Sequence, residues 1–253
     1  MVPRAVARGA GPGGGTTGAR LRPRVRALDA AGAGGFVTSQ QILILGVSAL
    51  VGYLVGAIPI GILVARASGG PDPRSIGSGR TGGTNALRAL GRKWALVVVV
   101  GDVAKGGLPV LFAALISAWD PWPMAIAALA AVLGAIRSVY IRFHGGRGVG
   151  AGVGTLLVMA PLAILITAPV FFGAVIITRY VSLGSLLGAA AICPATLLVV
   201  YLTQGSVPVP YWLYATIGPA LIWIAHWDNV QRLLRGEERR LDVGLLTGRS
   251  RPR

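Results

Sequence analysis

The chain alternates long apolar runs with short polar stretches, and the run lengths set the first expectation. Residues 42–65 carry no charge and suffice to cross a hydrocarbon core of ~30 Å. A second run, 94–118, is interrupted only by Asp102 and Lys105. A third spans 122–136 and extends to Ile141 past Arg137. Residues 148–178 are uncharged throughout, and 183–203 and 209–225 complete the set. As one helix, 148–178 would be roughly 46 Å long, too long for an untilted span. Pro161 and Pro169 also interrupt it. Two short helices, about 149–160 and 162–178, fit better and make seven spans. The predicted architecture is an all-α integral membrane protein, a bundle of about seven transmembrane helices with glycine-rich loops.

Charge orients the bundle. Arg66, Arg74, Arg80, Arg88, Arg92 and Lys93 follow span one, and Arg137, Arg142 and Arg147 surround the loop after span three. Arg179 follows span five, and Arg232, Arg235, Arg239 and Arg240 follow span seven. The other loops, near 119–121, 160–161 and 204–208, hold no basic residue. With seven spans every basic loop falls on one face, which the positive-inside rule makes cytoplasmic. Residues 1–40, Gly-rich with six Arg and one acid, read as a disordered basic tail. That tail is the misfit, since the same topology puts it outside.

Composition agrees. Of 253 residues, 54% are hydrophobic and 13% charged, which excludes an ordinary soluble domain and extensive disorder. The net charge of +16 is nearly all arginine, and in so apolar a chain it speaks for loops facing anionic lipid rather than for nucleic acid. Cys193 is the one cysteine, which excludes an intrachain disulfide. With only His144 and His226 beside it, the composition argues against a zinc site, and no metal or other cofactor is expected.

Four polar segments lie on the basic face. Ile76 to Arg88 combines glycines, hydroxyls and arginine, a composition that lets backbone N–H groups and a guanidinium approach an anion. It contains Gly77-x-Gly79-x-x-Gly82, but no strand or βαβ unit surrounds it, so a dinucleotide site is rejected. Gly83 stands where a P-loop requires lysine. A flexible loop is the plainer alternative. Phe143 to Gly152 runs from glycines and Arg147 into an uncharged helix, suiting either an anion at the helix start or a simple N-cap. His226 and Asn229, three apart, share a face of what otherwise reads as an amphipathic exit helix. Arg179 to Ser185 reads alone as a turn. Asp102 and Lys105, three apart inside span two, suit a functional cavity or a structural ion pair equally.

Together and in this order, the segments resemble one family. They are Gly77-Ser78-Gly79-x-x-Gly82-x-Thr84-Asn85-x-x-Arg88, Asp102-x-x-Lys105-Gly106, Gly145-Gly146-Arg147-Gly148-Val149, Arg179-Tyr180-x-Ser182-x-x-Ser185 and His226-x-x-Asn229-x-x-Arg232-Leu233. The set, spread over roughly 42–240, is similar to the bacterial acyl-phosphate:glycerol-3-phosphate acyltransferases. The resemblance implies a multi-pass plasma-membrane enzyme with its motif loops cytoplasmic. It implies transfer of a fatty acyl group from acyl phosphate to the 1-hydroxyl of glycerol 3-phosphate, giving lysophosphatidic acid and phosphate for phospholipid synthesis. Neither acyl-CoA nor acyl carrier protein is the direct donor, and the partners are the two substrates and membrane lipid. A monomer is the expected state.

Carried over by residue, the resemblance implies Ser78, Thr84, Asn85, Arg88, Gly145, Gly146, Arg147 and Gly148 around substrate phosphate. It implies His226, Asn229 and Ser182 at the reacting end, and Ser185, Lys105 and Glu238 as polar contacts. His226 is read first as a substrate ligand; as for the hydroxyl proton, either His226 or a substrate phosphate oxygen would take it. The His-x4-Asp motif of other glycerol-3-phosphate acyltransferases is absent, since Val149 and Gln231 stand five residues after the two histidines. Where the family usually has Asn and Lys, this chain has Arg80 and Arg147; Ala135, Ser138 and Ala151 also depart from its pattern. A carrier of organic phosphates is the rival reading, since broken helices with glycine loops also serve transporters. Against it, the segments lie at one face and no inverted repeat is visible.

Overall fold

A computed structural model describes residues 38–242 and Gly244. The tail expected over 1–40 lies outside these residues up to Val37, as does most of the expected C-terminal tail, 241–253. The described residues form helices and no strand: α1 (Ser39–Gly56), α2 (Ile60–Ser68), α3 (Gly83–Leu90), α4 (Arg92–Ile116), α5 (Pro121–Ile136), α6 (Val149–Met159), α7 (Ile164–Thr178), α8 (Val181–Gln204), α9 (Val209–Ala225) and α10 (Trp227–Leu234). Five helical segments, 39–68, 92–116, 121–141, 161–178 and 181–204, are long and apolar enough to cross a membrane. The apolar helices α6 and α9 are shorter, at 11 and 17 residues. Outward side chains such as Leu165, Ile176, Ile177 and Leu202 are mostly exposed, a surface that a bilayer covers and water does not.

Two breaks shape the bundle. The 148–178 run divides as its prolines require: α6 stops at Met159, one 3₁₀ turn covers Pro161–Ala163, and α7 begins at Ile164. The first run, expected as one span over 42–65, is also broken. Thr38 caps α1 in a capping box with Gln41, and α1 ends at Gly56 before Ile58-Pro59 starts α2. Proline cannot donate to the preceding turn and pushes the residue before it out of helical geometry. The carbonyls left over find donors from other helices. Lys105 Nζ donates to Ile58 O at 3.1 Å while pairing with Asp102 at 2.8 Å, and Ser138 Oγ donates to Ala57 O. The intramembrane pair therefore also pins the α1–α2 break.

Small residues set how closely the helices approach. On the α1–α5 face, a Cβ at Gly52 would meet Ala127 O, one at Gly56 would strike Ala131, and one at Gly134 would strike Tyr53 O. On the α4–α6 face, Gly106 lies against Ala151 and Gly154 against Val103 O. Lipid tails are as apolar as leucine, so close backbone contact rather than water exclusion holds such faces together. Tyr214, fully enclosed between α6 and α9, donates to Thr155 Oγ1 at 3.0 Å, since the threonine hydroxyl itself donates to Gly152 O.

Gly154→Val should push α4 and α6 apart. Overpacking of this kind costs about 1–3 kcal/mol. In detergent it should lower Tm by roughly 3–10 °C. Gly46→Val, at a position with nothing within 4 Å, should leave Tm near wild type. Equal Tm values for both variants would show that the α4–α6 contact does not limit stability.

Candidate active site

One cavity of about 570 Å³ gathers all four polar segments. The first turns of three helices line it: Gly82, Gly83 and Thr84 of α3, Gly148, Val149 and Gly150 of α6, and Val181 and Ser182 of α8. Each first turn has N–H groups without intrahelical partners and a partial positive charge, which together favour an anion. From this end the cavity continues along Val153 and Leu156 of α6 and past Ile164, Ala168 and Phe171 of α7, an apolar arm.

The loop before α3 is built around Asn85. Its Nδ2 donates to the carbonyls of Pro73, Ile76 and Arg80, and its Oδ1 accepts from the Ser78 N–H at 3.1 Å. Gly77, at φ +58°, is the hinge, and a Cβ there would press on Asn85 Oδ1 and the Arg88 side chain. Asn85, expected at phosphate, therefore lines the cavity with its amide engaged inside the loop. Ser78, Thr84 and Arg88 line the cavity as expected. Arg88 is half-buried with no hydrogen-bond or ion-pair partner among the described residues.

The second glycine loop differs from expectation. The N–H groups of Gly145 and Gly146 donate to Ile136 O and Ala135 O, closing the end of α5, so they are not free for an anion. Gly145 does not line the cavity, whereas Gly146, Arg147 and Gly148 do. Arg147 has its fork occupied: Nη1 and Nη2 reach the Asp228 carboxylate at 2.7 and 2.9 Å, and Nη1 also caps Ala225 O at 2.7 Å. The Asp228 carboxyl is held well below the usual carboxylate range, first by the hydrogen bonds from Arg147.

His226 ends α9 and is 2% exposed. Its Nδ1 lies 2.8 Å from Ile222 O, and a carbonyl only accepts, so Nδ1 carries the proton. Burial pushes the imidazole down to about 4, with the Arg147 charge adding to the effect. The ring is neutral at physiological pH, and Nε2 is a bare acceptor. Asn229 Nδ2 donates to Glu238 at 2.8 Å, which fixes the amide and leaves Oδ1 buried without a partner among the described residues. Ser182 Oγ is likewise buried without a partner among the described residues. Ser185 Oγ donates to Val181 O.

Glu238 accepts from Asn229 and from Arg232 Nε at 2.9 Å, so it positions Asn229. It belongs to a segment that turns at Gly236 and folds back over the cavity, where the Leu241 N–H donates to Arg179 O and Arg240 stacks on Tyr180. Lys105 lines the cavity through its pair with Asp102. Arg80, Thr81, Arg239 and the apolar arm also line it; the sequence placed Arg80 and Thr81 in the first polar segment and Arg239 in a basic loop without naming them as site residues, and named no residue of the arm. Among the described residues, no three His, Cys, Asp or Glu side chains gather into a metal site.

A membrane cavity with a cationic end and an apolar arm has the chemistry to suit an anionic amphiphile. The comparisons specify which. The family model described as Glycerol-3-phosphate acyltransferase matches residues 46–236, and the chain belongs to that family. It is 45% identical over 194 residues to the glycerol-3-phosphate acyltransferase of Thermus thermophilus, covering 76% of this chain and 92% of that one. The Rubrobacter xylanophilus enzyme of the same name is 40% identical over 191 residues, with 76% and 92% covered. Crystal structures of PlsY, an integral membrane glycerol 3-phosphate acyltransferase, in its glycerol 3-phosphate and lysophosphatidic acid forms, superpose with TM-scores of 0.71 and 0.70. They are 32% identical, with 80% of this chain and 98% of theirs covered. The chain is a membrane protein, and family membership sets aside the carrier reading.

Arg147→Ala should cost about 1–2 kcal/mol, reduced from buried-pair values by the solvent exposure of Asp228. Arg147→Lys, keeping charge without the fork, should fall between the two in thermal melting. A wild-type Tm in Arg147→Ala would show that the clamp does not hold the α6–α9 junction.

Proposed function

We propose that this chain moves a fatty acyl group from acyl phosphate to the 1-hydroxyl of glycerol 3-phosphate, yielding lysophosphatidic acid and inorganic phosphate. The setting is the bacterial plasma membrane, with the cavity mouth cytoplasmic. The observation that carries the reading is one cavity lined by the first turns of three helices, by the half-buried Arg80 and Arg88, and by an apolar set of side chains from α6 and α7. The cationic end suits two phosphates and the apolar arm an acyl chain.

Acyl phosphate is already activated, so catalysis is mostly positioning and charge stabilisation. The glycerol hydroxyl oxygen attacks the acyl carbonyl carbon, the carbonyl carbon–oxygen bond to phosphate breaks, and the departing phosphate takes the bonding pair. The neutral His226 Nε2 accepts the hydroxyl proton and passes it to that phosphate. Asn229 Oδ1 and Ser182 Oγ, the two orphaned polar atoms at the cavity, hold the glycerol hydroxyls. The family's name and the PlsY ligand forms support the acceptor; the chemistry of the cavity supports the donor.

Purified protein given palmitoyl phosphate and labelled glycerol 3-phosphate should form lysophosphatidic acid. His226→Ala should lower kcat by roughly 10²–10⁴-fold, the usual range for a lost general base. Wild-type turnover in that variant would remove His226 from proton transfer. Nitrogen NMR of histidine-labelled protein should show His226 neutral and protonated on Nδ1 at pH 6. Because the unfolded chain binds this proton near 6.5 and the folded chain only near 4, stability is full above pH 6.5 and declines as pH falls toward 4. A charged imidazolium at pH 6 would contradict both statements.

Topology has its own test, in a Cys193→Ser background. Ser206→Cys should react with an impermeant maleimide in intact cells, and Ser75→Cys only after lysis. The reverse pattern would invert the orientation.

A further inference from the structure

A second groove, of about 340 Å³, lies apart from the cavity and shares no lining residue with it. One wall is the α1–α2 break and α2 itself: Ile58, Pro59, Ile62, Leu63 and Arg66. The other is Tyr140 and Ile141, from the 3₁₀ turn Val139–Ile141 that follows α5. Pro59, Ile62, Leu63 and Arg66 fall at i, i+3, i+4 and i+7, one face of a helix. That face is apolar up to Leu63 and ends in a cation in the last turn of α2. At 1.5 Å per residue, Arg66 stands roughly 10 Å along the axis from Pro59.

Hydrogen bonds fix both walls in place. Tyr53 Oη donates to Arg137 O at 2.8 Å, Ser138 Oγ donates to Ala57 O, and the Phe143 N–H closes the turn on Ser138 O at 2.7 Å. The groove lies where two apolar segments end, 39–68 just past Arg66 and 121–141 at Ile141. Its rim is basic. Arg66, Arg137 and Arg142 are exposed, and none has a carboxylate in salt-bridge distance among the described residues. Asp72, which feels the Arg66 charge, is taken by Arg74 at 2.7 Å. Leu63 and Tyr140 are each about half exposed, and tyrosine is a residue of the membrane–water boundary. An apolar slot that leads to guanidinium groups at the bilayer edge fits a lipid with a hydrocarbon chain and an anionic head. A zwitterionic head would bring its own cation against these arginines.

We propose that this groove binds an anionic phospholipid of the surrounding leaflet, with its phosphate at Arg66 and Tyr140 and one acyl chain along Ile62 and Leu63. The lipid braces the α1–α2 break. Ile58 lines the groove, and its carbonyl accepts from Lys105, which lines the cavity. The site stands independently of the acyl-transfer reading.

The test uses the purified full-length protein in nonionic detergent, with phosphatidylglycerol or phosphatidylcholine added to the micelles. Phosphatidylglycerol should raise Tm by roughly 2–4 °C more than phosphatidylcholine does. Native mass spectrometry should show it retained in preference. Arg66→Ala should weaken that binding roughly fivefold, the scale of one arginine at an anionic lipid surface, and remove most of the extra stabilisation. Arg66→Gln serves if the alanine variant does not fold. Leu63→Trp, which puts bulk into the groove and keeps Arg66, should also remove the extra stabilisation. Arg235→Ala, at an exposed arginine on α10, should keep it. Equal stabilisation by the two lipids would overturn the anionic preference. A loss in Arg235→Ala as large as in Arg66→Ala would reduce the effect to general surface charge. Full retention in Leu63→Trp would place the lipid outside the groove, and full retention in both Arg66 variants would refute the site.

Discussion

A helix that begins at the edge of a bilayer leaves N–H groups that neither lipid nor its own turns can satisfy. Three such beginnings, at Gly82, Gly148 and Tyr180, surround one cavity. The rest of the site follows from this constraint. The helices start there because glycines and a loop residue replace a capping side chain, and none of the three has a side-chain cap. What would be a defect in an ordinary membrane bundle becomes a region of positive potential that favours an anion.

Holding three positive helix ends and several arginines together requires counter-charge, and the chain supplies it selectively. Asp228 and Glu238, both from the segment after α9, neutralise Arg147 and Arg232. Asp102 neutralises Lys105. These pairs tie α9, α10 and the fold-back segment together, and among the described residues Arg80, Arg88 and Arg239 line the cavity with no carboxylate in salt-bridge distance. Two acceptors orient polar groups of the cavity: the Glu238 carboxylate turns the Asn229 amide so that its oxygen is left over, and the Ile222 backbone carbonyl fixes the His226 tautomer. Breaking one pair would therefore alter stability and chemistry together.

The glycines of this chain do two separate jobs. Gly52, Gly56, Gly106 and Gly154 bring helix backbones together where no water-driven force is available. Gly77, with positive φ and no room for a side chain, forms the loop that Asn85 gathers. A precise site at a membrane surface needs both, because the loops are only as well placed as the helix ends that carry them.

Much of this was legible in the sequence. Uncharged runs of sufficient length must form spans, and Pro161 had to divide the long run, because hydrocarbon forces every backbone group into a helix and proline interrupts one. The four polar segments were found by their order, and every candidate site residue except Gly145 lines one cavity. What the sequence left undecided was where each polar group directs its bonds. Arg147 stands in the motif as a phosphate ligand, yet its fork is filled by Asp228, 81 residues away. Asn85, Gly145 and Gly146 stand in phosphate-like loops, yet their donors close the loops themselves. Arg80 looked like a departure and is a half-buried arginine with no carboxylate in salt-bridge distance among the described residues. Composition and spacing determine which residues can meet an anion; only the tertiary fold, by bringing distant carboxylates and carbonyls within hydrogen-bond reach, decides which of them remain free to do so.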